Sequence, residues 1–192
     1  MMKKHLSIAL IASLTLLQGC AGLFVAGAAT TAVVANDRRS VGTQLDDQNI
    51  ELKAAHLLAK NEALYKASRI SSIANNGNVL LVGQTPTAEY QNQAEKIVAD
   101  ISGVRRVFNE LRLNNPIGLG RQTSDTWITT KTKSLILDDP EINTLKIKVV
   151  TEDAEVFLIG LVTEKEAQKA VEIARHVKGV KRVVKVFEYV AE

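Results

Sequence analysis

The sequence predicts an α+β protein built from two small tandem domains that share one αββαβ pattern. Residues 78–83 and 155–160 are both an apolar strand that ends in glycine, and a helical segment follows each. Each helical segment then leads into Gly-Val-basic-basic-Val, at 103–107 and at 179–183. The copies lie 76 to 77 residues apart, which is too long for a solenoid repeat and suits tandem domains.

The order of elements in each copy predicts the topology of its sheet. A helix joins the second and third strands, so these strands should be parallel, with a right-handed crossover. Asn75-Asn76-Gly77 is a strong turn signal and joins the first two strands as a hairpin. We therefore expect a three-stranded mixed sheet with two helices on one face, and the strand order stays open. The apolar strand 79–82 indicates burial on both faces or a crowded centre.

Amphipathic helices begin each copy. In the first copy, an apolar residue recurs at 50, 54, 57 and 58, and we expect Asp46 or Asp47 to cap the helix. In the second copy, Ile128, Thr132, Leu135 and Ile136 form the inner face of the helix, with Ser124 or Asp125 as the expected cap. The crossover helix of the second copy should start with a capping box, Thr163-Glu164-Lys165-Glu166.

The N-terminus has the features of a secretory signal. Lys3 and Lys4 precede an apolar run that is too short to span a bilayer comfortably. The run ends in Leu17-Gln18-Gly19-Cys20, which resembles the bacterial lipobox. That resemblance implies that Cys20 becomes the lipidated first residue; the alternative is an ordinary signal with an incidental cysteine. Because Ala21 and not aspartate follows, the same resemblance implies an outer-membrane location, with the domains facing the periplasm.

These signals divide the chain into five parts. We expect a signal peptide at 1–19, a lipidated N-terminus and tether at 20–45, a first domain at 46–113, a linker at 114–123 and a second domain at 124–191.

Charge and composition exclude several function classes. Residues 1–19 carry two lysines and no acid, so their removal lowers the net charge from +3 to +1. A nucleic-acid-binding protein usually has a clear basic surplus, so we expect no nucleic-acid partner. The histidines His5, His56 and His176 lie far apart, and no metal-ligand cluster, nucleophile elbow or phosphate loop occurs. We therefore expect no enzyme activity, no cofactor and no metal site.

The repeated segments resemble the BON domain, named for bacterial outer-membrane and nodulation proteins. The residues that carry the resemblance are 79–83 with 103–104, and 156–160 with 179–180. It covers nearly the whole chain and implies a non-catalytic protein. It implies that the second domain binds anionic phospholipid and that the protein supports outer-membrane integrity. Less directly, it implies a link to the machinery that assembles outer-membrane proteins.

Comparison of the two copies indicates where lipid would bind. The first helix of the second copy has the only tryptophan, Trp127, where the first copy has Asn49, and Leu137 where it has Ala59. An aromatic residue and a leucine that flank a lysine on a non-core face suit a membrane interface. The expected phospholipid-binding residues are Trp127, Thr130, Lys131, Ser134 and Leu137.

Two alternatives stay open at this stage. Trp127 could instead pack against the linker or the first domain. The protein could also be a periplasmic interaction scaffold, in which this face or an exposed strand edge binds envelope proteins such as the assembly machinery.

The charge of the second copy is unevenly distributed. Residues 165–185 contain seven basic and two acidic residues, which suits an approach to an anionic surface in one orientation.

Overall fold

A computed structural model describes residues 41–142 and 146–191. The predicted signal peptide, the predicted lipidation site Cys20 and most of the predicted tether lie outside these residues. The elements of the first copy are α1 Val41–Lys60, α2 Glu62–Ala67, β1 Arg69–Asn75, β2 Asn78–Thr85, α3 Ala88–Ala99 and β3 Arg106–Leu113. Those of the second are α4 Leu119–Leu137, β4 Ile147–Glu152, β5 Glu155–Val162, α5 Glu164–Arg175 and β6 Arg182–Tyr189.

The predicted αββαβ pattern and α+β class are confirmed in both copies. The short helix α2 is an addition that periodicity does not predict, since it has only six residues. The Asn61 side chain caps α2 by accepting from the Leu64 N–H, and Leu64 is fully buried. The capping box predicted at Thr163 and Glu166 is present at the start of α5.

Each domain has a three-stranded mixed sheet whose middle strand is the second in the chain. β2 pairs antiparallel with β1 and parallel with β3, and β5 pairs in the same way with β4 and β6. This confirms the mixed sheets and fixes the strand orders β1-β2-β3 and β4-β5-β6, which the sequence leaves open.

The two faces of each sheet are buried against different partners. Val79 and Leu81 of β2 belong to a core that packs between the sheet and its helices. Leu80 and Val82, on the opposite face, pack with Phe157 and with other residues of the second sheet. Successive residues of a strand point to opposite faces, so the two domains pack sheet against sheet. The burial predicted for strand 79–82 on both faces is therefore confirmed, and the second domain supplies the second cover.

Ion pairs surround this contact between the sheets. Arg112 lies 2.6 Å from Glu155, and Arg69 forms a hydrogen-bonded ion pair with Glu152, a residue that is buried. The buried Gln84 side chain also donates to Glu152 at 2.8 Å. Polar groups that leave water in this way need partners, so these contacts fix one arrangement of the two domains.

The helices that begin each copy start earlier than their predicted caps. α1 begins at Val41, five residues before Asp46. α4 begins at Leu119, inside the predicted linker, and its N-cap Gly118 makes no side-chain hydrogen bond. The predictions that Asp46 or Asp47, and Ser124 or Asp125, cap these helices are therefore wrong, because all four residues lie within the helices.

Asp47 and Asp125 accept backbone hydrogen bonds as capping residues do, but from a hairpin turn and not from the start of their own helix. The buried Asp47 carboxylate accepts the backbone N–H groups of Asn76 and Gly77, at 2.8 and 2.9 Å. Asp125 is also buried and accepts those of Asp153 and Ala154 at the same distances. Each aspartate thus ties its helix to the hairpin turn between the first two strands.

We expect Asp47→Ala to lower the free energy of unfolding by about 3 kcal/mol, because two buried N–H groups lose a charged acceptor. Urea unfolding of the chain from residue 21 onwards measures this change. The neighbouring Asp46 is exposed, so Asp46→Ala should change stability by less than about 0.5 kcal/mol. Equal effects of the two substitutions would contradict the assigned role of Asp47.

Candidate phospholipid-binding face

The helix α4 presents one buried and one exposed face. Asp125, Ile128, Thr132 and Ile136 recur at helical spacing and are buried against the second sheet. The opposite face is held outward because these four residues fix the rotation of the helix about its axis.

All five predicted phospholipid-binding residues lie on the exposed side of α4. Trp127 is 51% exposed and Leu137 is 68% exposed, and Thr130, Lys131 and Ser134 between them are also exposed. The spacing of these residues places them in one stripe along the helix. About half of the indole surface is open, so neither the linker nor the first domain covers Trp127 completely.

Positive charge dominates the exposed surface of α4. Lys131 and Lys133 are exposed, whereas Asp125, the one acidic residue within α4, is only 4% exposed. The equivalent helix α1 differs, because its Asp46 is exposed and its Glu51 is partly exposed. Of these two related helices, α4 is therefore the better match to a surface of phosphate groups.

Lysines neutralise two acidic residues that follow α4. Lys169 lies 3.4 Å from Asp139 and 3.0 Å from Glu141, and Lys165 also lies 3.0 Å from Glu141. Hydrogen bonds from Lys165 and Lys169 lower the pKa of the Glu141 carboxyl from its ordinary value. The hydrogen bond that Lys169 donates to Glu141 likewise raises the pKa of Lys169. Asp138, the C-cap residue next to Leu137, is exposed and forms no ion pair with the described residues.

An apolar groove of about 760 Å³ runs beside the stripe. Its apolar lining residues are Ile73, Leu137, Ile147, Val149 and Val150, and Thr130, Lys133 and Ser134 line its α4 side. The ion pair between Glu51 and Lys148 completes the lining. Sequence reasoning missed this groove, because Ile73 belongs to the first domain and meets the others only through the packing of the two sheets. The alternation of apolar and polar residues in β4 is the sequence signal for this groove, because Ile147 and Val149 line it.

The described residues contain neither a candidate metal site nor a candidate membrane-spanning helix. Over residues 41–142 and 146–191, no group of three or more His, Cys, Asp or Glu residues could hold a metal ion. No helix in these ranges is long and apolar enough to cross a membrane.

Comparison with known proteins identifies the class of the chain. The BON domain matches residues 46–115 and 124–191. The chain is 38% identical over 186 residues to the outer membrane lipoprotein DolP of Haemophilus influenzae. This alignment covers 97% of this chain and 96% of that protein. It is 44% identical over 154 residues to the 21 kDa hemolysin of Actinobacillus pleuropneumoniae, covering 80% of this chain and 79% of that protein. The osmotically-inducible protein Y of Escherichia coli is 28% identical over 153 residues, covering 78% of this chain and 76% of its own length.

The chain therefore belongs to the BON-domain family, with two copies of the domain, as the sequence predicts. Within that family it is a relative of the DolP outer-membrane lipoproteins, along almost its whole length. Its location is accordingly the outer membrane, to which it is attached by lipid. That the domains face the periplasm stays a prediction. BON domains and these relatives form non-enzymatic families.

Proposed function

We propose that this protein is non-catalytic and binds anionic phospholipid through the exposed face of α4, and that this binding supports outer-membrane integrity. One observation carries the proposal: Trp127 and Leu137 are 51% and 68% exposed on a face that includes Lys131. Single exposed apolar side chains are ordinary, but a contiguous exposed apolar patch beside polar residues marks an interaction site. Leu137 is continuous with the apolar groove beside it.

Each residue of the stripe has a role in this proposal. The Trp127 indole lies at the depth of the headgroups, and Leu137 enters the boundary of the acyl chains. Lys131 pairs with a lipid phosphate. The Thr130 hydroxyl already donates to the Thr126 carbonyl at 2.9 Å, so toward lipid it acts as an acceptor, and Ser134 hydrogen-bonds a headgroup. The apolar groove beside Leu137 offers additional surface to an acyl chain.

The predicted lipid at Cys20 would make weak headgroup affinity sufficient. Tethering a second binding event to a membrane makes it intramolecular, with an effective concentration in the millimolar range for short linkers. In this proposal, binding by α4 does not attach the protein to the membrane. It selects the regions of the membrane that are rich in anionic lipid.

The fluorescence of Trp127 tests the proposal directly, because the chain has only one tryptophan. We expect a blue shift when the chain from residue 21 onwards meets vesicles that contain phosphatidylglycerol. The shift should be absent with neutral vesicles and should weaken as salt is added, because exposed charges are screened. A spectrum that is unchanged with every lipid composition would rule out insertion of Trp127. The scaffold alternative, in which an envelope protein covers this face, would then be favoured.

A further inference from the structure

The outer backbone edge of β3 in the first domain is closed by side chains. Asn109 Oδ1 accepts the Leu111 N–H at 3.3 Å, and Gln91 Nε2 donates to the Leu111 carbonyl at 2.8 Å. Asn109 Nδ2 in turn donates to Glu95 Oε2 at 2.8 Å. The N–H and the C=O that Leu111 directs away from β2 are therefore both occupied. An added strand would have to break these bonds.

The matching edge of β6 in the second domain lacks this closure. Leu111 lies beside Gly83 in the first sheet, and Phe187 lies beside Gly160 in the second, which aligns the two edges. The same offset places Ala167, Val171 and Lys185 where the first domain has Gln91, Glu95 and Asn109. None of the three carries an amide or a carboxylate. Within the ranges that the structure describes, no side chain hydrogen-bonds the Phe187 backbone.

The open edge lies at the opposite side of the second sheet from the proposed lipid face. α4 packs beside β4, and α5 packs beside β6, while β4 and β6 are the two outer strands of the sheet. A molecule bound to a membrane through α4 would therefore keep the edge of β6 accessible to a second partner.

Charge around β6 defines what would bind there. Lys178 and Lys185 are exposed and form no ion pair with the described residues. Arg182 is exposed but already lies 2.8 Å from Glu155, and Glu188, the acidic residue of β6, lies 3.4 Å from Arg105, so the two lysines carry the unpaired charge. A second copy would bring β6 against its own basic residues, which opposes pairing, and lysine on an edge strand is a common device against self-association. A strand that carries carboxylates would meet these charges favourably.

We propose that β6 is a docking edge for an extended acidic segment of another protein, which adds a fourth strand to the second sheet. Backbone hydrogen bonds to the outer edge at Phe187, and at neighbouring alternate residues, supply affinity. Lys185 selects a carboxylate on the incoming strand. This inference does not depend on lipid binding by α4.

Hydrogen exchange of the lipidated, isotopically labelled protein in micelles tests whether the edge is open. The amide of Phe187 should exchange much faster than that of Leu111, because only the Leu111 N–H has a side-chain acceptor. Comparable protection of the two amides would show that β6 is already covered and would overturn the proposal.

A synthetic probe tests the docking itself. We expect a capped peptide of about eight residues, in which valine and glutamate alternate, to shift the amide resonances of Lys185, Phe187 and Tyr189 and to slow their exchange. Lys185→Glu should weaken this binding about tenfold, whereas Lys96→Glu, an exposed charge reversal in the first domain, should leave it unchanged. A peptide N-methylated on its pairing face should not bind. Shifts centred elsewhere, equal binding of the N-methylated peptide, or no effect of Lys185→Glu would each overturn the proposal.

Discussion

Leu137→Glu should weaken the binding of the chain to phosphatidylglycerol vesicles about sixtyfold. Two losses add to this result. Burying most of a leucine side chain contributes ~1.5 kcal/mol, and a new negative charge near an anionic surface costs ~1 kcal/mol. Their sum, about 2.5 kcal/mol, corresponds to that change in the dissociation constant. Co-sedimentation of the chain from residue 21 onwards with vesicles at fixed ionic strength measures it.

The equivalent helix of the first domain supplies a matched control for Leu137→Glu. Leu52 on α1 is 69% exposed, close to the 68% of Leu137, and Leu52→Glu makes the same chemical change. Both variants should unfold at the same temperature as the unchanged chain, because neither position is buried. If Leu52→Glu weakens vesicle binding as strongly as Leu137→Glu, then α4 is not the only helix that binds lipid.

The fold could be predicted because the αββαβ pattern occurs twice in the sequence. The errors in the helix starts arise because an aspartate can either cap a helix or bind a distant turn. Asp47 and Asp125 precede apolar helical patterns, as caps do, yet each accepts hydrogen bonds from a distant hairpin turn. Local sequence cannot separate these roles, because both use a carboxylate to satisfy backbone N–H groups. The sequence therefore predicts both helix starts several residues too late.

Of the candidate site, only the stripe of residues on α4 could be predicted from the sequence. The stripe on α4 follows from helical spacing and from the substitution of Trp127 for Asn49 between the copies. The groove beside it needs Ile73 from the first domain. Likewise, the strand 79–82 showed that two faces are buried but not what covers the second. Both features depend on how the sheets pack together, which periodicity within one domain does not encode.

Gly83→Ala should severely destabilise the fold, and the reason is steric for the glycine that lies inside the middle strand of each sheet. Gly83 has a φ of +131°, and a Cβ at this position would lie 1.9 Å from the carbonyl oxygen of Arg69 on β1. In the second domain, a Cβ at Gly160 would lie 2.2 Å from the Lys146 carbonyl oxygen. Backbone atoms of a paired strand cannot move aside without breaking the ladder. We expect a loss above about 4 kcal/mol, out of a total of about 5–15 kcal/mol for a typical protein.

Gly120→Ala is the control for this substitution, because it tests the same change without the steric conflict. Gly120 lies in α4, and a Cβ there would have nothing within 4 Å. Alanine should therefore stabilise the helix by up to about 1 kcal/mol. Urea unfolding followed by circular dichroism compares the two variants. If the free energy of unfolding of Gly83→Ala lies within about 1 kcal/mol of that of the unchanged chain, then β1 and β2 can separate locally, and the close approach at Arg69 does not explain why both copies have glycine at this position.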